Sequence, residues 1–454
     1  MFILTLPFVT PRIDWDGTGY YGYLRSVMFD HNLQFKGDWA SNGKASAVPL
    51  GKVGLPHGIP ITKTGHLANY LAVGPAMLWA PFVIATRAVM IVLHGSSASA
   101  PADGHGPPYV RAVCYASALY AFLGLWISFK FARSLVEEKW ALLATIAIWF
   151  ASPLPLYMYS DPSWAHADCV FVVALFLWYW KRTRDSATET HRQWAIWGLI
   201  SGLMCDVYFP NGVFLLLPAL ELFLDLRKGE DRIGAFKTTL LRGFAFAGAF
   251  VIAFLPTMIV RQIIFGSPFS TGAYGSQPWN WTSPKFLSVL FSPSHGAFTT
   301  TPLLIIAVAG LFLLWRRQPS IGGRLVLLTV GFWTLIAVYP WWNGLVSFGS
   351  RFFVSLTPIF VIGLAVAFER FTAVWKDSRP AMRRAVAISA LLIIWNLGLI
   401  CQLDHGLFMQ IGPVDWQNAL YNEFRTVPGI VVSEVAAKIS PAPHTALTEQ
   451  ARSN

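Results

Sequence analysis

Long apolar runs recur along this chain, and the connectors between them are basic on every second turn. That alternation leaves a bundle of membrane-spanning helices as the expected fold. The runs occupy residues 109–129, 140–158, 165–180, 193–208, 211–226, 238–260, 299–315, 324–341, 352–368 and 385–401. A helix crosses the hydrocarbon of a bilayer with about 20 apolar residues, and most of these runs approach that length. Lys130, Arg133 and Lys139 fall on one side, with Lys181, Arg182, Arg184 and Arg192, then Arg227, Lys228, Arg232 and Lys237. Arg316, Arg317 and Arg324 follow there, as do Arg370, Lys376, Arg379, Arg383 and Arg384. The positive-inside rule makes that side cytoplasmic. Opposite it lie the segments around Asp161 and Asn211, residues 266–295 and 341–351, and everything after Cys401.

Composition agrees. Only 13% of residues are charged, where a soluble domain carries about 25%, and mean hydropathy is +0.50. The net charge of +11 accompanies no basic run interleaved with aromatics, so it reads as topology and lipid contact and not as nucleic-acid binding. Cys114, Cys169, Cys205 and Cys401 sit in or beside apolar segments and form neither a metal-ligand spacing nor a disulfide framework.

The first ninety residues depart from the pattern. MFILTLPFVT supplies about half a span before Pro11, so a short or cut first helix is expected. Asp14 to Tyr70 is polar and holds no span. Leu71 to His94 is apolar enough to cross, but it carries Pro75, Pro81, Arg87 and His94, which suit a helix lying in the interface. A full crossing there would carry the first loop to the side opposite the other long polar connectors; a flat helix keeps it with them. The expected organisation is one transmembrane module over 1–404, with external loops at 12–94 and 262–298, and a short C-terminal external tail over 405–454.

Within the first loop, IDWDGTGYYGYLRS sets Asp14 and Asp16 before a short helix bearing Tyr20 and Tyr21. A carboxylate held at a membrane mouth beside aromatic rings suits acid/base chemistry on a lipid-attached group. Asp16 would serve equally as the N-cap of that helix. In ITKTGHLANY, Lys63 and Asn69 are candidates to grip a lipid phosphate, or to anchor at the headgroups. YMYSDPSWAHAD places Asp161 in a turn and His166 at the start of a span, where a polar residue is costly unless it faces a polar cavity. SPSHGAF contributes His295, and WWNGLVSFGSR ends on Arg351, whose planar fork pairs with phosphate oxygens.

Taken in order, DGTGYYGYLRS, NYLAVGPAMLWAPF, SPSHGAFTTTPLL and FGSRFFVSLTP resemble the GT-C superfamily of integral-membrane glycosyltransferases. The branch they resemble includes the bacterial protein O-mannosyltransferase-like and lipid A aminoarabinose transferase-like enzymes. The motifs run from residue 16 to 358. The resemblance implies a GT-C-like bundle of about ten to twelve transmembrane helices, with membrane-parallel helices in the first external loop. It also implies a polyprenyl-phosphate sugar donor, a lipid, glycan or protein acceptor, a periplasmic active site in a bacterial inner membrane, and inversion at the anomeric carbon. The family's first-loop acid corresponds to Asp16, as general base, with Asp14 as the neighbour to test second. Where the family often has Asp-Glu, this chain has Asp16-Gly17. No cofactor follows with certainty. A divalent cation is compatible, with Asp14, Asp16 and Asp161 as candidate oxygen ligands. A lipid or sugar transporter is the second reading, favoured if Asp206 faces a through-channel. A non-catalytic assembly subunit is the third, and it would tolerate Asp16→Asn.

Overall fold

The computed structural model describes residues 1–41, 47–49, 59–94, 103–185, 190–227, 232–271, 277–345, 347–373, 378–407 and 412–439. Lys228, Lys376 and residues 440–454 lie outside these. The described chain is mostly helical, with almost no strand. Its one sheet is a pair of three-residue parallel strands, Ala47–Pro49 and Ile59–Ile61, with Val48 opposite Pro60.

The main helices are α1 (Trp15–Arg25), α2 (Gly74–His94), α3 (Pro107–Arg133), α4 (Glu138–Phe150), α5 (His166–Arg184), α6 (His191–Val207), α7 (Leu216–Arg227) and α8 (Arg232–Phe265). They continue with α9 (Leu303–Arg317), α10 (Pro319–Val338), α11 (Thr357–Ala373), α12 (Ser378–Asp404), α13 (Trp416–Arg425) and α14 (Val427–Ile439). Seven helical stretches among the described residues are long and apolar enough to cross a membrane, so the chain is an all-α polytopic membrane protein. One of the seven is Gly74–Leu93 in α2, which runs unbroken through Pro81. The first ten residues form only a helical turn, Phe2–Thr5, and a 3₁₀ turn, Leu6–Phe8.

The stretch Arg351–Phe371, which ends in α11, is the centre of the bundle, with 94% of its apolar window buried where the other six reach at most 50%. Small residues let its neighbours close on it. A Cβ at Gly310 of α9 would lie 1.8 Å from the Gly363 carbonyl oxygen of α11, so the two backbones touch. Gly198 and Gly202 do the same for α6 against the Phe246 and Phe250 carbonyls of α8.

Polar lacing is strongest at the two ends. At the basic end, Glu221 of α7 is met by Arg324 of α10, by Arg184 of α5 at 2.6 Å and by the indole N–H of Trp180 at 3.1 Å. In the first loop, Arg25 is 2% exposed and binds Asp38 and Asp30, with a further bond of 3.0 Å to the Asp103 carbonyl; Ser26 donates to Asp38 at 2.9 Å. Arg25→Ala leaves the buried Asp38 carboxylate without its cation, a loss that typically costs about 3–5 kcal/mol. We expect the variant to lower the thermal unfolding midpoint and to open residues 26–41 to protease in detergent.

Candidate functional site

A cavity of about 440 Å³ opens at one end of the bundle. The long helices reaching it, α5, α8 and α10, carry basic residues at or just before their other ends. α5 begins at His166 in the cavity and ends with Lys181, Arg182 and Arg184. α10 runs the other way, from the neighbourhood of Arg316 and Arg317 to a cavity-lining end at Leu335, Ile336 and Tyr339. Apolar and aromatic surface predominates in the lining: Phe209, Phe254, Phe269, Trp279, Trp341 and Phe352 among others. Its polar side chains include Asp16, Tyr20, His166, Arg261 and Arg351.

Asp16 stands in the first turn of α1, so its carboxylate faces the positive end of the helix dipole. The N-cap position belongs to Asp14, whose side chain makes no capping bond. Capping therefore does not account for Asp16. Trp15 between them is left-handed, with φ 44°, a strained conformation for a bulky residue. Arg351 Nη1 donates to Asp16 Oδ2 at 3.0 Å, a pairing of residues 335 positions apart. The guanidinium lies 4.8 Å from the centre of the Trp164 ring, and its Nε–H is buried with no hydrogen-bond partner among the described residues. Asp16 is 36% exposed and Arg351 14%, so the pair sits at the wall of the cavity and not beneath it. The loop that delivers Arg351 turns on two left-handed residues that line the cavity, Gly344 (φ 72°) and Leu345 (φ 58°).

His166 is 3% exposed, set edge-on to Tyr157 at 4.7 Å and Tyr208 at 5.4 Å, and its Nδ1 has no hydrogen-bond partner among the described residues. Arg261 supplies a second cation. It comes from the last turns of α8, bonds the Ser270 carbonyl, reaches the Tyr70 carbonyl at 3.4 Å and lies 4.8 Å over Phe209.

Four of the ten residues singled out in the sequence, Asp16, Tyr20, His166 and Arg351, line this cavity. The other six do not. Lys63 is on an exposed turn whose neighbour Thr64 bonds the Ile264 carbonyl, which occupies the turn in bracing α8. Asn69 is a clamp, 1% exposed, donating to Gly19 O at 2.7 Å and accepting from Leu71 N–H at 3.2 Å. Tyr21 points away from its neighbour Tyr20, as adjacent helical residues must, and donates to Gly104 O at 2.8 Å. His295 lies in a separate crevice, 5% exposed, with Nδ1 3.4 Å from Ser347 Oγ. Burial holds its imidazole below the usual range.

Asp14 and Asp161 converge instead on Arg12. Arg12 Nε is 3.4 Å from Asp14, and Arg12 also binds Asp161 directly. Among the described residues no three His, Cys, Asp or Glu side chains gather as metal ligands, and Asp14, Asp16 and Asp161 each face a guanidinium. Burial pushes the Asp161 carboxyl up to about 6, against the pull of Arg12. The folded chain thus holds this proton more tightly than the unfolded one, whose value is near 3.8. Stability from Asp161 therefore rises as pH falls through about 6 and is lost above it. Asp161→Asn is expected to flatten that part of the stability profile between pH 7 and 5, read from thermal unfolding midpoints.

Asp206, at the end of α6, is fully buried, faces Thr257, and is not part of the cavity lining. No protein-family model matches the chain, and no curated protein matches it.

Proposed function

We propose that the protein is an inverting glycosyltransferase that moves a sugar from a polyprenyl-phosphate donor to an acceptor at the periplasmic face of a bacterial inner membrane. The observation carrying this reading is the Asp16–Arg351 pair on the wall of a largely apolar cavity at the end opposite the basic connectors. Charge alternation supports a flat α2 and a first loop outside. The shorter helices α4, α5, α6 and α9 then cross with the six longer stretches other than α2, giving ten spans, the lower end of the range expected.

The chemistry assigns Asp16 as general base. It takes the proton of the acceptor nucleophile, whose lone pair attacks the anomeric carbon from the face opposite the phosphate. The carbon–oxygen bond to phosphate breaks with its electron pair, and polyprenyl phosphate leaves against Arg351, with Arg261 as the second cation. Apolar and aromatic lining suits the first isoprene units. In the free protein Arg351 occupies the carboxylate that must act as base. A donor phosphate competing for the guanidinium releases Asp16, so donor binds before acceptor.

Transfer of labelled sugar from a polyprenyl-phosphate donor, measured in membranes, tests the reading. Asp14→Asn, outside the cavity, is expected to transfer within a few-fold of the unaltered protein, and Asp16→Asn to lose transfer. Loss with Asp14→Asn alone moves the base, and loss with neither removes the enzyme.

A further inference from the structure

Beyond the last span, where a short external tail is expected, the chain folds into α13 and α14. The start of α13 is capped by Asp415, which accepts from the backbone N–H groups of Gln417 and Asn418, both at 3.1 Å. Ala419, Asn422 and Glu423 form its buried inner face. Gln402 of α12 donates to the Ala419 carbonyl at 3.1 Å and to Glu423 Oε2 at 2.8 Å. Gly398 leaves the space that Glu423 fills, since a Cβ there would lie 1.8 Å from Oε1.

These contacts fix a depth. Gly398 and Gln402 belong to the last seven residues of α12, so at 1.5 Å per residue α13 lies within about 9 Å of the end of that span. The headgroup layer on each side of the hydrocarbon is about 5–8 Å thick. α13 is therefore set at the boundary between headgroups and acyl chains.

The outer face matches that setting. Leu420, Tyr421 and Phe424 are 45%, 63% and 73% exposed, and Val431, Val432 and Val435 of α14 add 45%, 69% and 50%. The exposed side of α12 itself carries Leu391, Ile394 and Leu397. Asn418 and Arg425 flank the patch on α13. An apolar cluster of this kind, continuous with a spanning helix, is not left facing water. His405 Nε2 to Glu434 at 3.3 Å holds α14 beside the end of α12.

We infer that α13 and α14 form an interfacial anchor, with Leu420, Phe424 and Val432 seated among the lipids of the leaflet at the cavity end. The anchor also reaches toward the site. Trp416 Nε1 donates to the Pro293 carbonyl at 2.9 Å, two residues before His295, which meets Ser347 in the loop carrying Arg351.

Spin labels on the full chain test the inference without any use of transfer activity. Cys401→Ser removes the one native thiol that is not buried. Nitroxides are then attached in turn at Phe424→Cys, Val432→Cys and, as an aqueous reference, Lys63→Cys, and the protein is placed in phosphatidylethanolamine/phosphatidylglycerol vesicles. At 424 and 432 we expect power saturation to give a higher collision rate with oxygen than with a nickel chelate, and the reverse at 63. Preference for the nickel chelate at 424 and 432 overturns the anchor. Shielding from both reagents there also overturns it, in favour of a second copy or a protein partner.

Discussion

Asp16→Asn is expected to lower the rate of sugar transfer by about 10²- to 10⁴-fold, the range contributed by a positioned general base, while the protein remains folded in the membrane. The change is close to isosteric. It removes one charge from a side chain that is 36% exposed, and an ion pair with that much access to water contributes at most about 1 kcal/mol. A first-turn carboxylate adds about 0.3–1 kcal/mol through the helix dipole. Thermal unfolding should therefore shift little while turnover at saturating donor collapses. Unchanged turnover would contradict the assignment and favour an assembly subunit.

Arg351→Gln is expected to cost about 10²- to 10³-fold in turnover, comparable to removing one preorganised donor from a developing oxyanion. The amide keeps some of the packing against Trp164 and Phe352, but it cannot carry the charge that the leaving phosphate requires. Arg351→Lys restores charge without the planar fork and should recover only part of the rate. Because the same guanidinium binds the donor before reaction, KM for the polyprenyl-phosphate sugar should rise along with the fall in turnover. A normal KM and a normal turnover in Arg351→Gln would remove the phosphate from this corner of the cavity.

Hydropathy locates the apolar helices, though not their exact ends, and charge groups those ends. The cost of exposing backbone or charge to hydrocarbon made the spans visible, and the basic connectors sorted residues by side. Asp16 and Arg351 could thus be assigned to the same end although one lies in the first loop and the other at the start of the stretch leading into α11. Which face a side chain takes is another matter. Tyr20 and Tyr21 are adjacent in sequence, yet one lines the cavity and the other braces the Gly104 carbonyl. Asn69 and Lys63 carry the right chemistry for a phosphate, but tertiary contacts decide their use, and neither faces the site. Arg261 was missed because a hydropathy window ends the run at residue 260, whereas α8 continues to Phe265. An arginine one residue past that run, near the end of a 34-residue helix that is too long for the bilayer alone, is the available signal.

On the proposed function, a lipid phosphate enters this cavity, takes Arg351 and frees Asp16. A cryo-electron-microscopy structure of the protein with bound polyprenyl phosphate measures this most directly. The phosphate should lie against the guanidinium of Arg351 with Arg261 nearby, the isoprene units along Phe254 and Phe269, and the Asp16 carboxylate released from its 3.0 Å bond. A phosphate bound elsewhere, with the Asp16–Arg351 bond intact, would contradict the account.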